Sequence, residues 1–149
     1  MPSSRDVRIV VDTNVFVAAL LNPQGMNRDA IRACLKGFAK PLFGIALFHE
    51  YEDLLGRQEL MKKSPLTASE RGILFGALLS VSEWVKVYYS WRPNLADEGD
   101  NHLIELAVAG GADAIVTNNT DDLKSGELLF PSVCIYTPTQ FLEVISWQP

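Results

Sequence analysis

The stretch VRIVVDTNVFVAALL, residues 7–21, decides the fold. Its first five residues are apolar except for Arg8, which predicts a buried β-strand over residues 7–11. Asp12 places a carboxylate directly after this strand, and the chain then becomes apolar again in a helix predicted over residues 15–21. A strand, a polar turn and a helix in this order are typical of an α/β domain, in which such a turn lies at the carboxyl end of a strand.

The rest of the chain continues the alternation of strands and helices. Further strands are predicted over residues 41–45, 84–87, 114–116 and 133–136. Further helices are predicted over residues 27–39, 47–57, 67–82, 100–109 and 138–145. Thr67 and Glu70 have the spacing of a capping box that begins a helix, and Gly110-Gly111 is a typical helix end. The alternation predicts an α/β fold with a parallel sheet covered by helices on both faces.

Length and composition indicate one soluble domain over residues 1–149. Hydrophobic residues make up 48% of the 149 residues and charged residues 21%, which is enough for a core. No apolar run reaches the roughly 18 to 20 residues of a membrane helix, and the first residues lack the order of a secretory signal. We therefore expect a cytoplasmic protein without a membrane partner. The two cysteines, Cys34 and Cys134, offer no disulfide framework or metal-ligand spacing and are predicted to be buried thiols.

The formal net charge of −5 argues against nucleic-acid binding through overall positive charge. A nucleic-acid role would need a metal ion or a local basic patch. One candidate for a phosphate track is a series with four-residue spacing: Arg28, Arg32, Lys36 and Lys40. An ordinary solvated helix face is the simpler interpretation of this series. The tryptophans, Trp84, Trp91 and Trp147, could stack on bases, but aromatic side chains in a small domain more often belong to a core or an interface.

Polar side chains follow two of the predicted strands. Asp12, Thr13 and Asn14 follow the first strand. The strand over residues 114–116 is followed by Thr117, Asn118 and Asn119, with Asp121 and Asp122 close behind. Ligands of open α/β sheets bind outside the carboxyl ends of the strands, so both groups are expected at one rim of the sheet. The alternative for Asp12 is a role as the N-cap of the following helix.

The helix predicted over residues 100–109 turns an acid toward the sheet. At 100° per residue, Asp100 lies on the side of Leu103, Ile104 and Ala107, whereas His102 and Glu105 lie well round toward the opposite side. A carboxylate aimed at the sheet is costly unless a cation or strong donors compensate it. A metal ion is one explanation; the other is satisfaction by the helix amides, with Asp97 as the cap.

A further acid is expected from the helix predicted over residues 47–57. Its apolar stripe is bordered by Glu50 on one side and Glu52 on the other, and periodicity does not choose between them. His49 and His102 both face solvent by the helical count, and because neither has an evident hydroxyl or thiol partner, neither is assigned to catalysis. Convergent acids without cysteine or histidine favour Mg²⁺ or Mn²⁺ over Zn²⁺. Such ions can orient and deprotonate a water for attack on a phosphodiester.

The chain resembles the PIN-domain nucleases, particularly the short prokaryotic members that include VapC-type toxins. The resemblance rests on VVDTNVFVAALL, HEYEDLLGR and DEGDNHLIELAVAGGADAIVTNNTDDL, in this order, followed by a short strand and helix. It implies a three-layer α/β/α sandwich with a parallel sheet of four to five strands in the order 3-2-1-4-5. It also implies a ribonuclease that depends on Mg²⁺ or Mn²⁺ and leaves 5′-phosphate and 3′-hydroxyl ends.

The resemblance assigns roles to particular residues. The family's first three acids correspond to Asp12, Glu50 and Asp100, which are the expected catalytic and metal-binding residues. Accessory positions are Thr13, Asn14, Asp97, Thr117, Asn119 and Asp122. Many members have an aspartate where this chain has Asn119, and an amide oxygen is a weaker ligand. Asp122 is expected to compensate as a metal ligand, in preference to Asp121.

The leading hypothesis from the sequence is a metal-dependent endoribonuclease acting on RNA. By resemblance it would be the toxin of a toxin–antitoxin pair, with a cognate antitoxin protein and a homodimeric state. One alternative is a PIN-like module that binds RNA or a protein partner without cutting, which the departure at Asn119 and the acidic charge favour. Another is an aspartyl-phosphate phosphatase or receiver with Asp12 as nucleophile, but Asn14 stands where the phosphatase usually has a second acid.

Overall fold

The computed structural model describes residues 7–87, 101–121 and 133–147. It contains a five-stranded sheet in the order β3-β2-β1-β4-β5, in which all neighbouring strands are parallel. The strands are β1 (Arg8–Val11), β2 (Lys40–Phe43), β3 (Glu83–Trp84), β4 (Ala114–Val116) and β5 (Cys134–Tyr136). The predicted α/β fold and the strand order 3-2-1-4-5 are both confirmed.

Seven helices accompany the sheet within the described ranges. They are α1 (Thr13–Leu21), α2 (Met26–Leu35), α3 (Ile45–Leu55), α4 (Gln58–Met61), α5 (Ala68–Ser80), α6 (Asn101–Gly110) and α7 (Pro138–Val144). The sequence did not predict the short helix α4, and β3 has two residues instead of the four expected. The capping box of Thr67 and Glu70 is confirmed at the start of α5.

Helix α2 ends four residues earlier than predicted. Gly37 adopts φ +87°, which favours glycine, and the Phe38 N–H donates to the Ala33 carbonyl at 2.9 Å. This arrangement is a helix-ending motif in which a left-handed residue turns the chain away from the helix axis. The apolar periodicity continues past this point, so it does not mark the end.

Gly110-Gly111 ends helix α6 as predicted. Gly111 has φ +64°, and the Ala112 N–H donates to the Ala107 carbonyl at 2.8 Å. Gly110 is close to the sheet, since a Cβ at this position would lie 2.7 Å from Leu42 Cδ1. The end of α6 is therefore fixed by its conformation and by its packing.

The core lies between β1 and the helices. Residues Ile9, Val10 and Val11 are almost completely buried, and an aromatic cluster of Phe16, Phe43, Tyr51 and Phe75 packs beside them. The buried Tyr51 hydroxyl donates to the Val11 carbonyl at 2.8 Å. This hydrogen bond fixes α3 against the end of β1, immediately before Asp12.

The two cysteines differ in their surroundings. Cys34 is buried, and burial raises the pKa of its thiol to about 12. Cys134 is exposed, so the prediction of two buried thiols is wrong for this residue. The reason is that Cys134 belongs to β5, which lies at one end of the strand order. A separate observation is that none of the described helices has the length and apolar character needed to cross a membrane.

Candidate functional site at the rim of the sheet

Two adjacent strands deliver polar residues to one rim of the sheet. Val11 and Val116 are register partners in the central strands β1 and β4. Asp12 follows the first and Thr117 the second, and the Asp12 N–H donates to the Val116 carbonyl at 2.9 Å. The predicted convergence of these two polar segments is therefore observed.

The Asp12 side chain turns toward the rim and does not cap helix α1. Asp12 occupies the N-cap position, but its carboxylate accepts no capping hydrogen bond. Oδ2 instead accepts from Thr117 Oγ1 at 2.7 Å and from Asn14 Nδ2 at 3.2 Å. Oδ1 lies 3.3 Å from Thr13 Oγ1. These contacts exclude the helix-cap alternative for the side chain.

Asp12 is a buried carboxylate held by neutral groups. Asp12 is 7% exposed, and in the described part of the chain its carboxylate contacts the hydroxyls of Thr13 and Thr117, the Asn14 side-chain amide and the Thr13 backbone. Burial raises the pKa of Asp12 above its ordinary value of 3.8, the Thr117 hydroxyl opposes this effect, and the negative charge of Glu50 adds to it. A buried carboxylate without a paired cation is unfavourable, so this position would be stabilised by a positive ion.

Glu50 faces Asp12 across a shared threonine. Thr13 Oγ1 donates to Glu50 Oε1 at 2.7 Å, and the same hydroxyl lies 3.3 Å from Asp12 Oδ1. His102 Nε2 lies 3.2 Å from Glu50 Oε2. The hydrogen bond with His102 is the largest cause that lowers the pKa of Glu50, and that with Thr13 acts in the same direction.

The structure distinguishes Glu50 from Glu52. Glu52 is exposed and lies 3.3 Å from His49 Nδ1 on the outer side of α3. Glu50 accepts a hydrogen bond from Thr13 Oγ1, at the start of α1, at 2.7 Å. It is therefore Glu50, and not Glu52, that contacts Thr13 at the rim.

Hydrogen bonds between asparagines link the rim to α2. The Asn118 N–H donates to Asn14 Oδ1 at 3.1 Å, and Asn118 Nδ2 donates to Asn27 Oδ1 at 2.9 Å. The Asn119 N–H donates to Thr117 Oγ1 at 3.0 Å. Thr117 thus accepts from Asn119 while it donates to Asp12, which fixes the direction of its hydroxyl. The contribution of Asn27 was not predicted, and the sequence of α2 offers no signal for it.

Three of the predicted site residues, Asp97, Asp100 and Asp122, lie outside the described residues. Asp121 is described and exposed, as is Asn119. Within the described ranges, no three or more His, Cys, Asp and Glu residues form a group that could hold a metal ion. Of the predicted acidic ligands, the described part of the site brings together Asp12 and Glu50.

The interpretation of His102 as a solvent-facing residue is wrong. Its side chain is 18% exposed and contacts Glu50, and Glu105, which the helical count also directed away from the sheet, is 4% exposed. Both residues line a small cavity with Ala46 and Leu47 of α3. Helix α3 covers a side of α6 that the helical count at 100° per residue, made on α6 alone, assigns to solvent.

Three members of the basic series contact other parts of the chain, and the fourth, Lys40, is the first residue of β2 and not part of a helix. Arg28 Nε donates to the Ala19 carbonyl at 3.0 Å, and Arg32 pairs with Asp29 at 2.9 Å. Lys36 Nζ lies 5.4 Å from the ring centre of Trp147. These contacts favour a structural role over a phosphate track.

The tryptophans proposed to stack on bases differ in their exposure and contacts. Trp84 is 55% exposed, and its ring centre lies 5.9 Å from that of Phe48. Trp147 packs edge-on against Phe38 with ring centres 5.1 Å apart. Trp91 lies outside the described residues.

Comparison with known families agrees with this geometry. A family model described as PIN domain matches residues 8–121, which is most of the chain. The chain therefore belongs to the PIN-domain family, whose fold is of the nuclease type. No curated protein matches the chain.

Proposed function

We propose that this chain is a metal-dependent endoribonuclease that hydrolyses RNA phosphodiester bonds, with the reaction at the rim formed by Asp12 and Glu50. The observation that supports the proposal best is the buried Asp12 carboxylate, which is held by neutral donors and has a second carboxylate beside it. Two negative groups in this arrangement are stable together when a cation lies between or beside them. Membership of the PIN-domain family supports the same conclusion.

The donor set fits Mg²⁺ or Mn²⁺. Both described acids offer oxygen atoms, which such hard ions prefer, and Asp12 Oδ1 has lone pairs beyond its contact with Thr13. Asp12 and Glu50 would hold the ion together with Asp100, and Asp122 would be an additional ligand. When bound, the ion supplies Lewis acidity, lowering the pKa of a water and offsetting charge on the phosphate.

The neutral residues of the rim would hold the acids in place. Thr117 and Asn14 fix one oxygen of Asp12, and Thr13 fixes one oxygen of Glu50. Asn119 supports Thr117 through its backbone N–H, a contact that does not require an aspartate side chain. Asp97 would be a further ligand or the cap of the helix that follows it.

The test is cleavage of RNA by the purified chain with Mn²⁺, with EDTA, and with the variant Asp12→Asn. We expect cleavage only in the first case, with 5′-phosphate and 3′-hydroxyl ends on the products. Activity that persists both in EDTA and in the variant would contradict the proposal. A contaminating metal-dependent nuclease is recognised because EDTA inhibits it while the substitution leaves it unaffected.

A second candidate function is a PIN module that binds RNA or a protein without cutting, and the substitution of Asn119 for the family's usual aspartate favours it. Calorimetry with Mn²⁺ distinguishes the two. Micromolar binding that is abolished by Asp100→Asn supports the nuclease. Absence of binding, together with retention of RNA in a filter assay, supports the binding module.

We further propose that the chain is the homodimeric toxin of a toxin–antitoxin pair in the cytoplasm. The support is the resemblance to short prokaryotic PIN-domain nucleases. We expect a neighbouring gene to encode a small DNA-binding protein. That protein should copurify with this chain and suppress its ribonuclease activity. Its absence would favour a nuclease that acts without an antitoxin.

A further inference from the structure

Glu50 is held at both oxygens by donors from two different helices. Thr13 of α1 donates to Oε1 at 2.7 Å, and His102 of α6 lies 3.2 Å from Oε2. The Glu50 side chain is 37% exposed and the His102 side chain 18%. A glutamate on a helix has three rotatable bonds and would otherwise sample several positions at such exposure.

We propose that His102 is a positioning residue that holds the Glu50 carboxylate in the orientation needed for metal binding. The proposal rests on the proposed function, because it concerns the same site. In the described structure the His102 side chain is hydrogen-bonded to Glu50 and not to Asp12, so it acts through Glu50. Mutation of a group that orients a metal-binding side chain in this way typically lowers metal affinity or activity by roughly 10- to 100-fold.

The direction of the hydrogen bond follows from the chemistry of the two groups. An ionised carboxylate only accepts, so His102 Nε2 must carry the hydrogen. Both the Nε2–H neutral tautomer and the doubly protonated ring satisfy this requirement. The role proposed for His102 is therefore that of a donor in either protonation state, and it does not depend on a titration.

The contact also connects two elements of the proposed site. Glu50 belongs to α3, and His102 is the second residue of α6, two positions after Asp100 in the chain. With Glu50 joined to Thr13 on one side and to His102 on the other, the helices α1, α3 and α6 are linked through one carboxylate. Each Glu50 oxygen keeps a lone pair for a cation after accepting one hydrogen bond.

The chain contains a matched control for this contact. His49 Nδ1 lies 3.3 Å from Glu52 Oε1, so the same two residue types are paired at nearly the same distance. Their side chains are 65% and 52% exposed and lie on the outer side of α3. A substitution of His49 removes a histidine and its glutamate contact without altering Glu50.

The experiment compares His102→Gln, His102→Asn and His49→Asn by calorimetric titration with Mn²⁺. The longer amide of glutamine can still donate to Glu50, whereas that of asparagine is too short. We expect His102→Asn to weaken Mn²⁺ binding by ~10-fold, His102→Gln to stay within about 3-fold of the unmodified chain, and His49→Asn to leave the affinity unchanged. In RNA cleavage, His102→Asn should raise the Mn²⁺ concentration for half-maximal rate and leave the KM for RNA unchanged.

The outcomes separate this inference from the proposed function. If the unmodified chain binds Mn²⁺ and His102→Asn binds it equally well, the role of His102 is overturned and the nuclease proposal stands. Equal losses in His102→Asn and His102→Gln also overturn it, because the hydrogen bond then does not explain the effect. Absence of Mn²⁺ binding by the unmodified chain overturns both. His102→Leu, which lacks any donor, replaces the asparagine variant if circular dichroism shows that the latter does not fold.

Discussion

Asp12 and Glu50 lie at the same rim of the sheet, but their carboxylates are held in different ways. Asp12 follows a central strand directly and is 7% exposed, and burial raises its pKa. Glu50 extends from a helix with a side chain that is 37% exposed, and hydrogen bonds with His102 and Thr13 lower its pKa. Both carboxylates accept hydrogen bonds, but burial disfavours the charge on Asp12, whereas the donors around Glu50 favour its charge.

This difference has consequences for stability and for function. The charge on Asp12 is unfavourable for the folded, metal-free chain, whereas the charge on Glu50 is favourable. Sites that bind ions often retain such unfavourable groups at a cost in stability. A bound cation would therefore explain why the charge of Asp12 is retained. The orientation of Glu50 is explained by its hydrogen bonds with Thr13 and His102.

The largest effect is expected from Asp12→Asn. The substitution keeps the size of the side chain and removes the buried charge that would hold the cation. We expect Mn²⁺-dependent RNA cleavage to fall at least ~1,000-fold, the rate equivalent of several kcal/mol of lost stabilisation. Single-turnover cleavage measures the loss, and an unchanged circular dichroism spectrum shows that the fold is kept. A rate within about 10-fold of the unmodified chain would mean that Asp12 does not hold the ion.

A smaller loss is expected from Glu50→Gln. The more exposed carboxylate would share the binding of the cation with water and other ligands, so we expect a decrease of ~100-fold in cleavage. Glu52→Gln is the control, because Glu52 lies on the same helix and pairs with exposed His49. The same rate assay applies to both. A loss in Glu52→Gln with normal activity in Glu50→Gln would reverse the assignment of the two glutamates.

The sequence was sufficient for the strands of the sheet and for the position of Asp12. Apolar runs that end in polar residues mark buried strands directly, and the resemblance supplied the strand order that the structure confirms. Periodicity did not choose between Glu50 and Glu52, because both border the same apolar stripe, and Glu50 was expected from the resemblance alone. In the structure the two differ in their partners, since Glu50 accepts from Thr13 and Glu52 lies beside exposed His49, and these contacts are a property of tertiary packing.

His102 and Glu105 show where reasoning from one helix fails. A helical count assumes a single buried face, but α6 is covered by the sheet on one side and by α3 on another. The count then assigns residues on the second covered side to solvent. The hydrogen bond between His102 and Glu50 spans 52 positions in the chain, and no local pattern predicts it.

Thr117→Val tests the contribution of the donors around Asp12. Valine has the shape of threonine but cannot donate to Asp12 Oδ2 or accept from the Asn119 N–H. We expect Mn²⁺ affinity to fall by ~10-fold, measured by calorimetry, while Thr117→Ser keeps the hydroxyl and most of the affinity. An unchanged Mn²⁺ affinity in Thr117→Val would contradict this prediction and show that the position of Asp12 after β1 is sufficient to place its carboxylate.

The smallest effects are expected in the melting temperatures of Asp12→Asn and Glu50→Gln, measured in EDTA. The two substitutions should shift the melting temperature in opposite directions, each by on the order of a few degrees. Because the pKa of Asp12 is raised above 3.8, its contribution to stability is present below that pH and is lost as the pH rises through the folded-state pKa. Asp12→Asn should therefore melt above the unmodified chain at neutral pH, with a difference that shrinks on acidification.

Glu50 should behave in the opposite way. Its pKa is lowered from 4.5, so its contribution is present above that pH and is lost as the pH falls through the folded-state pKa. Glu50→Gln should melt slightly below the unmodified chain at neutral pH, and the exposure of this side chain keeps the effect small. Scanning calorimetry from about pH 4 to about pH 8 measures both differences. If Asp12→Asn melts below the unmodified chain at neutral pH, the hydrogen bonds to Asp12 outweigh the cost of its burial, and the two carboxylates are held alike.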